Sequence, residues 1–153
     1  MNKLKLKDVL TKKRINHVKS VEDWESAVQL ASAPLLNDGS IEQEYVDNMI
    51  QSVHDNGSYM VLTDFFALMH ASPGKGVTDF AISLLILDDE IEMVGKPVKI
   101  FLILAAKDNE SHINALSQVT SLLMDEDKFN VFLSGDIEKI SCMINYSEEG
   151  EEK

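Results

Sequence analysis

Two nearly unbroken apolar runs, FAISLLIL at 80–87 and VKIFLILAA at 98–106, constrain this chain more than any other feature. A strand with one face in water alternates apolar and polar residues, whereas runs as continuous as these need cover on both faces. They predict central strands of a small sheet with helices packed above and below. A third apolar stretch at 59–62 reads as a further strand, and RINHV at 14–18 as a short one.

Helical patterns surround these runs. Ser20 followed by Asp23 has the spacing of a capping box, and Val21, Trp24, Val28 and Ala31 then recur at helical intervals until Asn37-Asp38-Gly39. Ser40 with Gln43 repeats the signal ahead of Tyr45, Met49, Ile50 and Val53, and Gly57 ends that helix. After the last strand, Asp108 or Asn109 caps a long helix whose buried stripe is expected at Ile113, Leu116, Val119 and Leu123. Two shorter helices follow, near 127–133 and after Asp136, the second carrying Ile140 and Ile144. Helices before and after a small sheet predict an α/β fold, a three-layer α/β/α sandwich, instead of a bundle or barrel.

At 153 residues the chain has the size of one domain with a substantial core, and 44% hydrophobic residues against 26% charged exclude disorder of the whole chain. One domain over 1–147 with an acidic disordered tail at 148–153 is the expected division. The formal charge of −12 argues against nucleic acid as a ligand, because that affinity comes from Lys and Arg neutralising phosphates. Residues 1–19 depart from this trend with seven basic groups against Asp8 alone. They read either as an arm for an anionic surface or as the solvated side of a first element.

No stretch reaches the ~20 apolar residues that span a bilayer, and no apolar segment follows the Lys-rich start as in a signal peptide. A cytoplasmic chain with no direct membrane insertion is expected. The lone Cys142 excludes an intramolecular disulfide, no zinc-ligand spacing surrounds it, and its place in KISCMIN predicts a buried, inert thiol.

The chemistry lies in SYMVLTDFFALMHASPGKGV at 58–77, where an apolar strand delivers His70 into a loop of small residues. A second histidine, His112 in KDNESHINAL, falls in the first turn of the helix after the last strand. A neutral imidazole offers a lone pair near neutral pH while its other nitrogen is held by a hydrogen bond, so it can accept a phosphoryl group. Phosphoryl transfer asks little more than alignment and donors aimed at the oxygens. A helix N-terminus suits that second task, since its free N–H groups and dipole favour an anion and a neutral ring. His112 precedes Leu116 by one turn and is expected at the edge of the core-facing stripe.

By spacing alone a histidine at a strand or helix end is more often structural or exposed than reactive, and that reading stays open for both. Ser72 and Lys75 are further candidate phosphate contacts, equally readable as turn and solvent residues. His54, near a helix C-terminus, reads as a surface residue, and His17 carries no chemical signal.

These residues resemble the enzyme IIA domains of the bacterial phosphotransferase system, mannitol/fructose superfamily, most closely the ascorbate-type branch. The likeness covers nearly the whole chain, through APLL, QEYVDNMI, the strand-to-histidine segment and LAAKDNESH. Relatives typically read PYMVLAPGIALPHARPEDGV where this chain has SYMVLTDFFALMHASPGKGV. The resemblance implies a mixed sheet flanked by helices and a phosphocarrier in which His70 takes a phosphoryl group from HPr and hands it to a cysteine of a IIB subunit. It implies that His112 supports the phosphate, that no metal or organic cofactor takes part, and that the membrane permease IIC is reached only indirectly. L-ascorbate is the expected transported substrate, with mannitol, fructose and a nitrogen-regulatory role as alternatives.

The chain departs from that pattern at Asp64-Phe65 in place of Pro-Gly, at Met69 in place of proline and at Ser72 in place of arginine. An arginine that some relatives carry on the second helix is also missing near Gln51 and Ser52. Fewer guanidinium forks would then meet a phosphate. Asp64 would oppose a phosphoryl group if it pointed toward His70. A degenerate IIA-like module that binds a partner without efficient transfer is therefore the competing function.

Overall fold

The computed structural model describes residues 6–151. Its elements run α1 (Leu6–Val9), a 3₁₀ turn (Lys12–Arg14), β1 (Ile15–Val18), α2 (Trp24–Asn37), α3 (Gln43–Asn56), β2 (Val61–Thr63), β3 (Phe65–Met69), β4 (Ala81–Met93), β5 (Lys96–Ala105), α4 (Asn109–Leu123), α5 (Glu126–Ser134) and α6 (Ile137–Glu151).

Side chains alternate across a strand, so each long apolar run supplies two opposite faces. Ala67, Met69, Leu85, Leu87, Phe101 and Ile103 meet Val28, Leu35, Tyr45 and Met49 of α2 and α3. Phe66, Leu68, Ile82, Leu84, Ile100 and Leu102 meet Val119, Phe132, Ile140 and Ile144 of α4, α5 and α6. This is the expected three-layer sandwich. Each buried Leu, Ile or Phe in it contributes about 1.5–3 kcal/mol by leaving water. The mixed five-stranded sheet has the order β1-β4-β5-β3-β2; β1–β4 and β3–β5 are parallel, and β4–β5 and β2–β3 antiparallel.

Several local expectations are corrected. Helix α2 is capped by Asp23, whose carboxylate accepts the Ser26 N–H at 2.8 Å, and not by Ser20. The chain is still tied to the sheet at that point, because Lys19 O accepts the Asp89 N–H. Ser40 likewise caps nothing: its carbonyl accepts the N–H groups of Thr78 and Asp79, so α3 begins after Glu42. In α4 Val119 is buried and Leu116 and Leu123 pack against the core as expected, but Ile113 is 63% exposed while Ala115 and Leu122 are buried. The stripe lies about one residue round the helix from that expected, on the same side as His112.

Cys142 is exposed, contrary to expectation. Ile140 and Ile144, one turn apart, take the buried face of α6, and a residue midway between them points away from it. Residues 148–151 of the expected disordered tail continue α6, and 152–153 lie outside the described residues.

The stretch expected as one strand leading to His70 is a hairpin. Its turn at Asp64 leaves Phe65 at φ +72°, and no glycine marks it in the sequence. Three of the N-terminal basic groups meet the chain's own acids: Lys12 pairs with Glu138 at 2.7 Å, Arg14 with Asp38 at 2.9 Å and Lys19 with Asp89 at 3.6 Å. Among the described residues, no helix is long and apolar enough to cross a membrane.

Candidate active site

Parallel neighbours end on the same edge of a sheet, and open α/β sheets gather their functional loops there. β3 and β5 are such neighbours, with Met69 in register against Ile103. The loop that leaves β3 at His70 and the turn that carries β5 into α4 therefore emerge side by side. His112 sits in the first turn of α4, its N–H on Asp108 O at 3.2 Å. The rings of His70 and His112 lie 5.1 Å apart between centroids, tilted by 59°.

The loop after His70 is pinned at several points. The Gly74 N–H donates to Ala106 O and the Glu42 N–H to Gly76 O, both at 2.9 Å. The Ala71 N–H donates to the Tyr45 hydroxyl at 3.0 Å, and that hydroxyl donates to Leu104 O at 2.6 Å. Burial pushes the Tyr45 phenol up to about 12, so it stays protonated and able to make both contacts at neutral pH. Gly76, at φ +77°, passes so close to α3 that a Cβ there would stand 2.9 Å from the Tyr45 nitrogen. This loop needs its small residues.

His70 is half-buried, with Nδ1 3.1 Å from Leu68 O. A carbonyl only accepts, so the neutral ring carries its proton on Nδ1 and keeps the lone pair on Nε2. Burial lowers the His70 pKa below its ordinary value; the Leu68 carbonyl opposes this, and the neighbouring His112 adds to the lowering. Burial also lowers the pKa of His112, whose Nδ1 is enclosed without a partner among the described residues. Both rings are therefore favoured in their neutral forms.

The two histidines open on a depression of about 500 Å³ shared with Ser72 and Lys75, so all four candidates from the sequence come together. Asn48 and Ser52 of α3, Tyr59, Ala71, Pro73 and Asn109 complete its lining. In a chain of net charge −12 this lining contains no carboxylate, and Lys75 is its one lysine or arginine. Anions meet no opposing charge there.

Sequence reasoning missed the part played by Asn48, Ser52 and Tyr59. Asn48 and Ser52 flank the apolar stripe of α3 at one-turn spacing, which marks a polar rim beside a buried face. The apolar stretch at 59–62 predicts a strand that includes Tyr59, whereas Tyr59 stands in the turn before β2, half exposed.

Other candidates lie elsewhere. Asp64 is at the far end of β3 from His70, roughly 20 Å along an extended chain at ~3.3 Å per residue, so it does not oppose a group on that ring. His54 is on the surface, beside Trp24 and 3.4 Å from Glu25, and His17 meets Asp88 at 2.6 Å. Among the described residues, no group of three His, Cys, Asp or Glu side chains is placed to hold a metal ion.

The family model for the phosphoenolpyruvate-dependent sugar phosphotransferase system, EIIA 2, matches residues 8–146, and the chain belongs to that family. It is 29% identical to the mannitol-specific cryptic phosphotransferase enzyme IIA component of Escherichia coli K12, over 89% of this chain and 94% of that protein. The ascorbate-specific EIIA component of the same organism is also 29% identical, over 83% and 86%. The solution structure of the cryptic mannitol-specific IIA superposes with a TM-score of 0.85 at 27% identity, covering 92% of this chain and 98% of that one.

Proposed function

We propose that this protein is a phosphocarrier in which His70 accepts a phosphoryl group from phospho-HPr and passes it to a cysteine of a IIB partner. The observation that carries this reading is the pairing of the two rings across one depression, with the His70 proton directed to Leu68 O and its Nε2 lone pair left to react.

In the first step Nε2 forms an N–P bond as the P–N bond to the donor ring breaks; that ring, protonated on its other nitrogen, takes the bonding pair and leaves as neutral imidazole. His70 keeps its Nδ1 proton on the Leu68 carbonyl throughout. In the second step a thiolate attacks phosphorus and the Nε2 pair returns to the ring, so no external proton is needed in either direction. His112, neutral at its helix start, donates one N–H to a phosphoryl oxygen. Ser72 and Lys75 supply further contacts to that group. No metal or organic cofactor enters either step.

Intact-mass measurement after mixing with phosphoenolpyruvate, enzyme I and HPr tests the proposal. One acid-labile phosphoryl group is expected on the parent chain and none on His70→Ala. The absence of arginine from the lining supports a second reading, a regulatory IIA-like module, and no label under saturating donor would decide for it.

L-ascorbate is the substrate we assign to the partner permease, on the likeness of the SYMVL and HASP segments to the ascorbate branch. Mannitol is the competing assignment, since the mannitol-specific relative is equally identical over a slightly longer span. Faster transfer from the labelled chain to an ascorbate-type than to a mannitol-type IIB protein is expected; the reverse order would overturn the assignment.

A further inference from the structure

A transferred phosphoryl group spreads negative charge over its oxygens, and transfer is fast only where fixed donors face them. The depression beside His70 offers no guanidinium for this, and Lys75 is an exposed side chain in a loop. It does hold an arranged pair of hydroxyls. Ser52 Oγ, on α3, lies 2.8 Å from the Tyr59 hydroxyl, and both residues line the depression with the two histidines. The Tyr59 ring meets His70 edge to face, with centroids 6.4 Å apart and planes at 87°.

Tyr59 is 50% exposed and has no packing that demands a hydroxyl. Its ring forms one wall of the site, and Ser52, itself on a helix, sets where the phenolic oxygen stands. When the Ser52 hydroxyl donates to the Tyr59 oxygen, the phenolic O–H is left to donate outward.

Resting on the phosphocarrier reading of His70, the geometry points to Tyr59 as a catalytic residue: its hydroxyl donates a hydrogen bond to the phosphoryl group on His70, and Ser52 is the positioning residue that aims it. The pair does the work a guanidinium fork would do, with one aimed neutral donor in place of two charged ones. The contact strengthens as charge accumulates on the oxygens during transfer and involves no change of covalent bonds in either hydroxyl. It also favours the dianionic form of the bound phosphoryl group.

The test uses the whole chain, with phospho-HPr as donor. Tyr59→Phe keeps the ring and should leave the fold intact while slowing phosphorylation of His70 about tenfold, the effect of losing one ordinary hydrogen bond at a partly solvated site. In ³¹P NMR the phosphohistidine of this variant should titrate at higher pH than that of the parent, a readout that a purely structural role would not move. Ser52→Ala should shift both quantities in the same direction by less, and Ser52→Thr, which keeps a hydroxyl, should restore them.

A labelled parent whose rate and phosphoryl titration are unchanged by Tyr59→Phe would overturn the assignment of Tyr59 and leave the phosphocarrier reading standing. A parent that takes no label would overturn the phosphocarrier reading itself, and this inference with it.

Discussion

The Tyr45 hydroxyl accepts the backbone N–H of Ala71 at 3.0 Å, so the residue immediately after the candidate nucleophile is tethered to a side chain of α3. The same hydroxyl donates to Leu104 O, which makes one buried phenol the link between helix, loop and strand. Tyr45→Phe takes a hydrogen-bond partner from a part-buried N–H and a buried carbonyl. A loss of about 1–3 kcal/mol in urea unfolding is expected, together with slower labelling of His70. Unchanged labelling in a destabilised variant would show that the tether serves stability alone.

Truncating the second imidazole tests its proposed role. His112→Ala should slow phosphorylation about tenfold or more through the lost donor. Stability should change little, because the ring nitrogen it removes is enclosed and unpartnered among the described residues. Stopped quenching of the labelling reaction followed by mass measurement gives the rate, and labelling at the parental rate would remove His112 from the mechanism.

The depressed pKa of His70 gives a signed pH dependence. The reactive lone pair exists only on the neutral ring, so the labelling rate should be flat above pH ~6.5 and fall on acidification with a midpoint below that value. Stability moves in the same direction. An unfolded chain takes up the proton near pH 6.5 while the folded one resists, so stability falls as pH drops from about 6.5 toward the lowered pKa. His70→Gln should flatten part of that dependence in urea midpoints recorded across the range, and an unaltered slope would place its origin elsewhere.

Two glycines separate conformation from packing. Gly39 and Gly76 both have positive φ, but a Cβ at Gly39 meets nothing within 4 Å, whereas one at Gly76 would meet the Tyr45 backbone at 2.9 Å. Gly39→Ala should cost about 1 kcal/mol and Gly76→Ala about 2–4 kcal/mol, the excess being the forced shift of the loop against α3. Equal losses in thermal unfolding would mean that the loop yields without strain.

The β4–β5 turn predicts a gain. Val94 holds φ +48° ahead of Gly95 at +86°, positions that favour Asn-Gly, and its β-branched side chain is half exposed. Val94→Asn should raise stability by about 1 kcal/mol with labelling unaffected, as read from the urea midpoint.

The sheet's core and its helical layers were legible because their patterns are local and repeat. The unbroken run at 98–106 calls for cover on both faces, which Phe101 and Leu102 receive from opposite layers, and one predicted helix carries both Ile140 and Ile144. Signals that depend on a single residue served less well. Ser20 and Ser40 have the spacing of caps, yet tertiary hydrogen bonds hold the chain at those points and move the helix starts to Asp23 and Glu42. Cys142 lies in an apolar segment, but only the direction of α6 against the sheet decided that it faces water.

By itself the sequence determined that His70 follows a strand and that His112 opens a helix. That the two rings stand 5.1 Å apart was decided by β3 lying parallel to β5, a pairing between distant segments that no spacing along the chain encodes. Ser52 and Tyr59, by contrast, are seven residues apart and meet locally, across the turn at Gly57 that ends α3. Periodicity is written in neighbouring residues, whereas the order of strands in a sheet is a property of the whole core, and the site exists only where that order brings loop ends together.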